Sequence, residues 1–306
     1  MRRATFFSLA FALVAALPLR GQDGSKVVAK VDGDSIHLRE VEKELKRVIG
    51  KSKLAKDVHQ RLRKEMVKRL VDKRLILRYL ASKELGASKQ QIDVAIDRLK
   101  KQLEAKKTTL EAFLKEKKLS QGDLRFSFAW QIGWTQFLNR YLTEKNMQRY
   151  FERHAKEFDG TQLKVAHILI KAKSTDKAGR AAAVKKLTAL REKILKKEVS
   201  FAKAAKANSQ SPSANKGGDI GFIERHKPMP KDFSKAAFAL DVGEISKPVH
   251  SPFGVHLIRC LQVKKGNKTW KDARPQLARV ITNYLYGWAA DQQRPKSKVV
   301  LSDEFK

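Results

Sequence analysis

The chain has 306 residues, 42% hydrophobic and 32% charged, and its 66 Lys and Arg against 32 Asp and Glu give a formal net charge of +34. This length allows two ordinary domains with packed cores, and the balance excludes both an intrinsically disordered chain and a small disulfide-stapled one. The single cysteine, Cys260, excludes an internal disulfide, so the fold holds by packing alone.

Arg2 and Arg3 lead an uncharged apolar run from Ala4 to Leu17 that ends at Pro18. A basic start, an apolar middle and small residues near Ala16 and Gly21 give residues 1–21 the pattern of a signal peptide, with an uncleaved anchor as the alternative. The run is short for a membrane span, and no second one follows, so the expected mature chain is soluble outside the cytoplasm. Residues 1–21 hold three arginines and no acid, which leaves about +31 on the remainder. Such a field attracts acidic clients, anionic lipid headgroups or nucleic acid. The basic residues are spread along amphipathic stretches, so a solvated surface is the plainer reading and no specific nucleic acid is expected.

Val27, Val28 and Val31 run into Asp32-Gly33, and Ile36 and Leu38 resume, which predicts a hairpin over Lys26–Leu38. A helix follows from near Arg39. Apolar residues then keep a 3.6 period from Leu54 to Leu85, with Gly86 as the expected terminator. Ser88 with Gln91 predicts a capping box for the next helix. Thr109, Ser120 and Thr143 open three more. Trp130, Trp134, Phe137 and Tyr141 fall at helical spacing, which favours core over a peptide groove. The period changes after Phe158: Leu163, Val165, Ile168 and Ile170 suit a strand, Ala181–Lys197 a helix, and Val255–Val263 a last strand. Beyond the Lys264–Asn267 linker a helix returns with Leu277, Ile281, Leu285 and Trp288, and Val299–Leu301 suits a terminal strand. A mixed α/β block is thus flanked by helix on both sides, and neither flank looks self-sufficient.

Within that block, Leu163–Ile170 with His167, the run Phe201–Ser213 followed by Lys216-Gly217-Gly218-Asp219-Ile220-Gly221-Phe222, the stretch Phe233–Val249, and Phe253-Gly254-Val255-His256-Leu257-Ile258 resemble the parvulin-type peptidyl-prolyl isomerases, in order and spacing. The flanks resemble, more loosely, the exported SurA-type and PrsA-type chaperones. The resemblance implies an α+β chain: residues 1–21 as signal peptide, a mostly helical chaperone domain built from 26–158 and 268–306, and an inserted parvulin domain over 162–264 with a small antiparallel sheet surrounded by helices. It implies His167 and His256 side by side at the floor of the site. Met229, Phe233 and Phe253 match a proline-ring pocket, with Ile220 and Phe222 nearby and Ser251 as a hydroxyl beside the second histidine. The chain departs from the pattern at Ser211, where aspartate or cysteine is usual. Ser211 carries no charge, so it either feeds the histidine network or marks a weakened enzyme. Lys227-Pro228 and Met229-Pro230 replace a glycine-containing approach and predict a stiffer loop. Lys171, Lys173 and Lys177 sit where phosphate-directed parvulins carry a basic cluster, but a solvated lysine face is the better reading of so short a loop. Gly217 and Gly218 read as turn residues.

The implied reaction needs no nucleophile, metal or cofactor, and none is expected, since the seven histidines show no metal-ligand spacing. Three functions compete: an exported foldase acting on unfolded or nascent exported proteins with X-Pro bonds in the periplasm or cell envelope, a holdase whose parvulin domain only binds peptide, and a basic scaffold for anionic envelope surfaces.

Overall fold

The structure is a computed structural model and describes residues 26–306 apart from Lys51 and Lys53. The expected signal peptide, residues 1–21, lies outside the described residues. Contacts divide the chain into two compact units, one ending at Tyr141 and resuming at Thr282, the other running from Leu142 to Ile281.

In the first unit, β1 (Val27–Val31) and β2 (Asp34–His37) pair antiparallel around Asp32-Gly33. Both turn residues have positive φ, 48° and 92°, as a tight two-residue hairpin requires. Helix α1 (Leu38–Ile49) follows at once, and the Glu40 carboxylate accepts from the His37 amide at 2.9 Å. Helix α2 (Lys56–Ser82) buries Val67, Leu70, Val71, Leu75, Ile76 and Leu80 along one stripe. It ends before the expected glycine. Glu84, at φ 55°, takes the left-handed position; its amide donates to Ala81 O at 3.1 Å and the Leu85 amide to Leu80 O at 2.8 Å. Helices α3 (Lys89–Glu104), α4 (Leu110–Lys117) and α5 (Gln121–Tyr141) start on Ser88, Thr109 and Ser120, whose hydroxyls accept amide protons at 3.1, 3.1 and 3.0 Å. Leu103, Leu110, Leu114 and Leu124 form the core between these three helices.

The second unit opens with α6 (Glu144–Arg153) and α7 (Ala155–Phe158). There follow β3 (Gln162–Lys171), α8 (Lys177–Leu195), α9 (Phe201–Asn208), β4 (Asp219–Glu224), α10 (Lys231–Phe238), β5 (Val249–Ser251) and β6 (Gly254–Lys264). The strands form an antiparallel sheet in the order β4-β3-β6-β5. Its two central strands are buried on both faces, hence their nearly continuous apolar sequence. On one face Ala166, Ile168, Val255 and Leu257 pack against Leu187 of α8 and Phe201 and Ala205 of α9. On the other, Leu163, Val165, Ile258 and Cys260 pack against Phe233, Ala237 and Phe238 of α10. The two ends of the block are tied together: the Lys268 amide donates to Asp159 O at 2.8 Å and the Gly266 amide to Thr161 Oγ1 at 3.1 Å.

Helix α11 (Arg274–Gln293) carries the chain back, and β7 (Val299–Leu301) pairs with β1 to complete the sheet β2-β1-β7. Phe137 is fully buried in the first unit, while Trp130, Trp134 and Tyr141 are half-buried and Trp130 stacks on Trp134. A mostly helical chain with a small helix-covered antiparallel sheet is the α+β architecture implied by the sequence.

Candidate active site

Strands β3 and β6 place His167 opposite Ile258 and Leu169 opposite His256. The two histidines are therefore diagonal neighbours on the α10 face of the sheet, a separation that ring side chains can bridge. Their rings stack with centroids 5.3 Å apart and 18° between planes, and the two Nδ1 atoms are 3.1 Å apart. Only 5% of His167 and 1% of His256 is exposed. Each outer nitrogen meets a hydroxyl: His167 Nε2 lies 2.8 Å from Ser211 Oγ, and His256 Nε2 lies 2.6 Å from Ser251 Oγ. Ser211 Oγ continues to Ser213 Oγ at 3.1 Å, and the Phe253 amide donates to Ser251 Oγ at 3.0 Å. The Phe233 ring stands nearly perpendicular beneath both imidazoles, at 5.6 and 5.2 Å.

Backbone pairing puts these groups in place. Past the end of β4 the free edge of β3 is covered by the Ser209–Ser211 loop, which imitates a strand. The Leu169 amide donates to Ser209 Oγ at 3.1 Å, the Gln210 amide to Leu169 O at 2.8 Å, and the Lys171 amide to Gln210 Oε1 at 2.6 Å. This lacing delivers Ser211 to His167. On the same edge the His167 amide donates to Gly218 O at 2.9 Å, and a Cβ on Gly218 would lie 2.4 Å from His167 O. Glycine at 218 thus serves close backbone approach as well as a turn.

The proton count constrains the network. One hydrogen bond joins the two Nδ1 atoms, so neutral rings must carry opposite tautomers. The ring that donates inward accepts from its serine, and the other donates to its serine. Ser213, Ser211, His167, His256 and Ser251 therefore form a chain in which every proton points one way or every proton points the other. Burial holds His167 down at about 4, and burial together with repulsion from His167 holds His256 at about 3. Both rings are neutral at pH 7.

Above them opens a cleft of about 420 Å³. Met229 and Phe253 line it with the two histidines, and Phe253 is 62% exposed. Phe233 is the floor under the rings. Ile220 packs into the apolar cluster around Phe233 and is not among the cleft-lining residues. Phe222 is not brought to the histidines. An irregularity at Gly221, φ 75°, lets β4 pair Ile223 with Leu163 and Phe222 with Lys164, and Phe222 stands 45% exposed in the row that faces away from the cleft. Lys171 and Lys173, expected on a solvated face, are exposed and also line the cleft, together with Leu169, Pro212 and Pro252. Leu169 has a signal in the sequence, two residues along the strand from His167. The two prolines and Ser213 have none beyond their place next to Ser211 and Ser251.

Two family models match the chain: a PPIC-type PPIASE domain over residues 167–262 and a SurA-like N-terminal domain over residues 4–138. "Foldase protein PrsA" of Geobacillus kaustophilus is 26% identical over 266 residues, covering 86% of this chain and 80% of that protein. "Chaperone SurA" of Polaromonas sp. is 37% identical over 121 residues, 40% of this chain and 25% of that protein. "Chaperone SurA" of Thiobacillus denitrificans is 44% identical over 102 residues, 33% of this chain and 22% of that protein. The chain spans most of the PrsA relative and about a quarter of each SurA relative. It joins a PPIC-type, parvulin-class peptidyl-prolyl cis–trans isomerase domain to a SurA-like N-terminal domain.

Proposed function

We propose that the chain is an exported foldase: its 142–281 unit speeds cis–trans conversion of X-Pro bonds in unfolded client proteins, and its helical unit holds those clients. The observation that carries this reading is the pair of neutral, mutually bonded imidazoles at the floor of an apolar cleft. Rotation about the peptide bond faces a barrier of about 18–20 kcal/mol because resonance keeps it planar. Twisting removes that resonance and reduces charge separation, so a cleft with apolar walls favours the twisted amide over the planar one. Catalysis follows if the twisted form binds better, and each ~1.4 kcal/mol of preference gives about tenfold in rate. Met229 and Phe253 hold the proline ring. His167, His256, Ser211 and Ser251 supply a hydrogen-bond network that reverses polarity without leaving a charge behind. No covalent step is involved.

Export rests on the signal-like pattern of residues 1–21, and among the described residues no helix is long and apolar enough to cross a membrane. The charge of +34 suits acidic clients and anionic envelope surfaces. A second reading, a holdase with an inactive isomerase unit, is favoured by the uncharged Ser211. One assay separates them. The purified chain is expected to speed conversion of a proline tetrapeptide and to suppress aggregation of an unfolded client. A conversion rate equal to the uncatalysed one, with suppression intact, would leave only the holdase.

A further inference from the structure

We propose that Arg180 is a positioning residue of the cleft, holding its two walls together and fixing the backbone that carries Ser251; the inference rests on the isomerase reading above. Arg180 lies in the first turn of α8, just past Asp176, whose carboxylate accepts from the Gly179 amide at 2.8 Å. From there its guanidinium spans two other segments. Nε donates to Lys173 O at 3.0 Å, and Nη2 donates to Ser251 O at 2.6 Å and to Ala172 O at 3.4 Å. Nη1 donates to His250 Nδ1 at 3.2 Å.

Those segments are the walls. Ala172 and Lys173 line one side of the cleft, and Pro252 and Phe253, at the tip of the β5–β6 hairpin, line the other. They approach closely at Gly254, where a Cβ would lie 2.1 Å from Ile170 O. Strand pairing joins them only as far as Lys171 opposite Gly254. Beyond that register the guanidinium is the tie. Five donors in a rigid, permanently charged plane suit a task that a lysine ammonium cannot match. Ser251 Oγ is one end of the proton chain, 2.6 Å from His256 Nε2. Releasing the Ser251 backbone therefore disturbs the proton chain from its His256 end.

The test uses the full chain with Arg180→Ala and Arg180→Lys, and two readouts: KM and kcat on a proline tetrapeptide, and the histidine ring-nitrogen NMR resonances. Arg180→Ala is expected to raise KM by about tenfold, because wall contacts bind planar and twisted amides alike, and to lower kcat by about threefold or more, because the Ser251 end of the network is released. The ring-nitrogen resonances of the two histidines shift in opposite senses, because the two rings carry opposite tautomers. Arg180→Lys keeps the stem packed and shifts the same resonances by less. Unchanged KM and unchanged histidine resonances in the folded variants would overturn the proposal, as would shifts of both histidines in the same sense, which mark general loosening. The resonances decide the role of Arg180 whether or not peptide is turned over, so a chain without isomerase activity would sink only the isomerase reading.

Discussion

Ser211→Asp tests the claim that a neutral network does the work. In the native chain both imidazoles are held far below their ordinary range by burial, at about 4 and about 3, with no carboxylate among the causes. The kcat/KM of the isomerase is therefore expected to be flat from about pH 6 to pH 9. Aspartate at 211 puts a carboxylate where a hydroxyl now sits 2.8 Å from His167 Nε2. At an effective dielectric of 20 and about 4 Å, two unit charges attract by about 4 kcal/mol, which is worth up to about 3 pH units of proton affinity. Ser211 is half-buried, so screening reduces this figure. The His167 midpoint rises from about 4 towards neutrality. Activity in the variant is then preserved at pH 8 and falls as pH drops below about 7, where the native chain shows no change down to about pH 6. The assay is the tetrapeptide rate across pH for both proteins, with His167 titrated by NMR. A native profile that breaks near 6.5, or a Ser211→Asp variant that is folded and inactive at pH 8, would refute the neutral-network reasoning.

Three further outcomes are expected. The unfolded histidines take up protons near 6.5 and the folded ones only near 4 and 3, so stability present above pH 6.5 is lost as pH falls through that window, at up to about 1.4 kcal/mol per pH unit for each histidine. Urea midpoints at pH 7.5 and 4.5 check this, and equal midpoints would contradict the burial argument. Gly218→Ala and Gly243→Ala both impose a Cβ at positive φ, at about 1–2 kcal/mol, but only at 218 does that Cβ strike backbone, 2.4 Å from His167 O. Gly218→Ala should thus unfold at clearly lower urea and lose activity with it, and equal losses in the two variants would sink the close-approach argument. Lys171 and Lys173 are exposed and line a cleft whose histidines are neutral, so peptides with Glu before proline should bind a few-fold better than those with Lys, and Lys171→Gln with Lys173→Gln should flatten the ranking. A flat ranking in the native chain at low salt would count against it.

The parts of this fold that are legible in the sequence are those set by neighbours along the chain. Asp32-Gly33 specifies its turn through the φ values it tolerates, and Ser88, Thr109 and Ser120 announce helix starts because one hydroxyl satisfies one orphan amide. The histidine pair is legible through the parvulin resemblance, which implies that the two rings lie side by side. What stays hidden depends on register and long-range geometry. Phe222 sits next to Gly221, and one irregularity in strand pairing turns it from a candidate pocket residue into one facing away. Glu84 takes the left-handed cap ahead of Gly86 because the bonds to Leu80 and Ala81 close there, two residues before the permissive glycine. Lys171 and Lys173 read as solvated charge, yet the lacing of β3 to Gln210 and the bonds from Arg180 hold their backbone at the rim of the cleft.

Ser211 shows why such a site resists reading from composition. Judged by charge it lacks what the parvulin pattern usually supplies. Judged by geometry it closes one end of a hydrogen-bonded chain whose other end is Ser251, with two imidazoles between them that burial keeps neutral. A carboxylate would place a charge on that chain as pH falls, by stabilising an imidazolium beside it. A hydroxyl at each end leaves the two polarities nearly equal, so the network follows the amide as its nitrogen and oxygen exchange charge during rotation. The absent charge is on this account a property of the machinery, and the pH profile of Ser211→Asp decides whether that account holds.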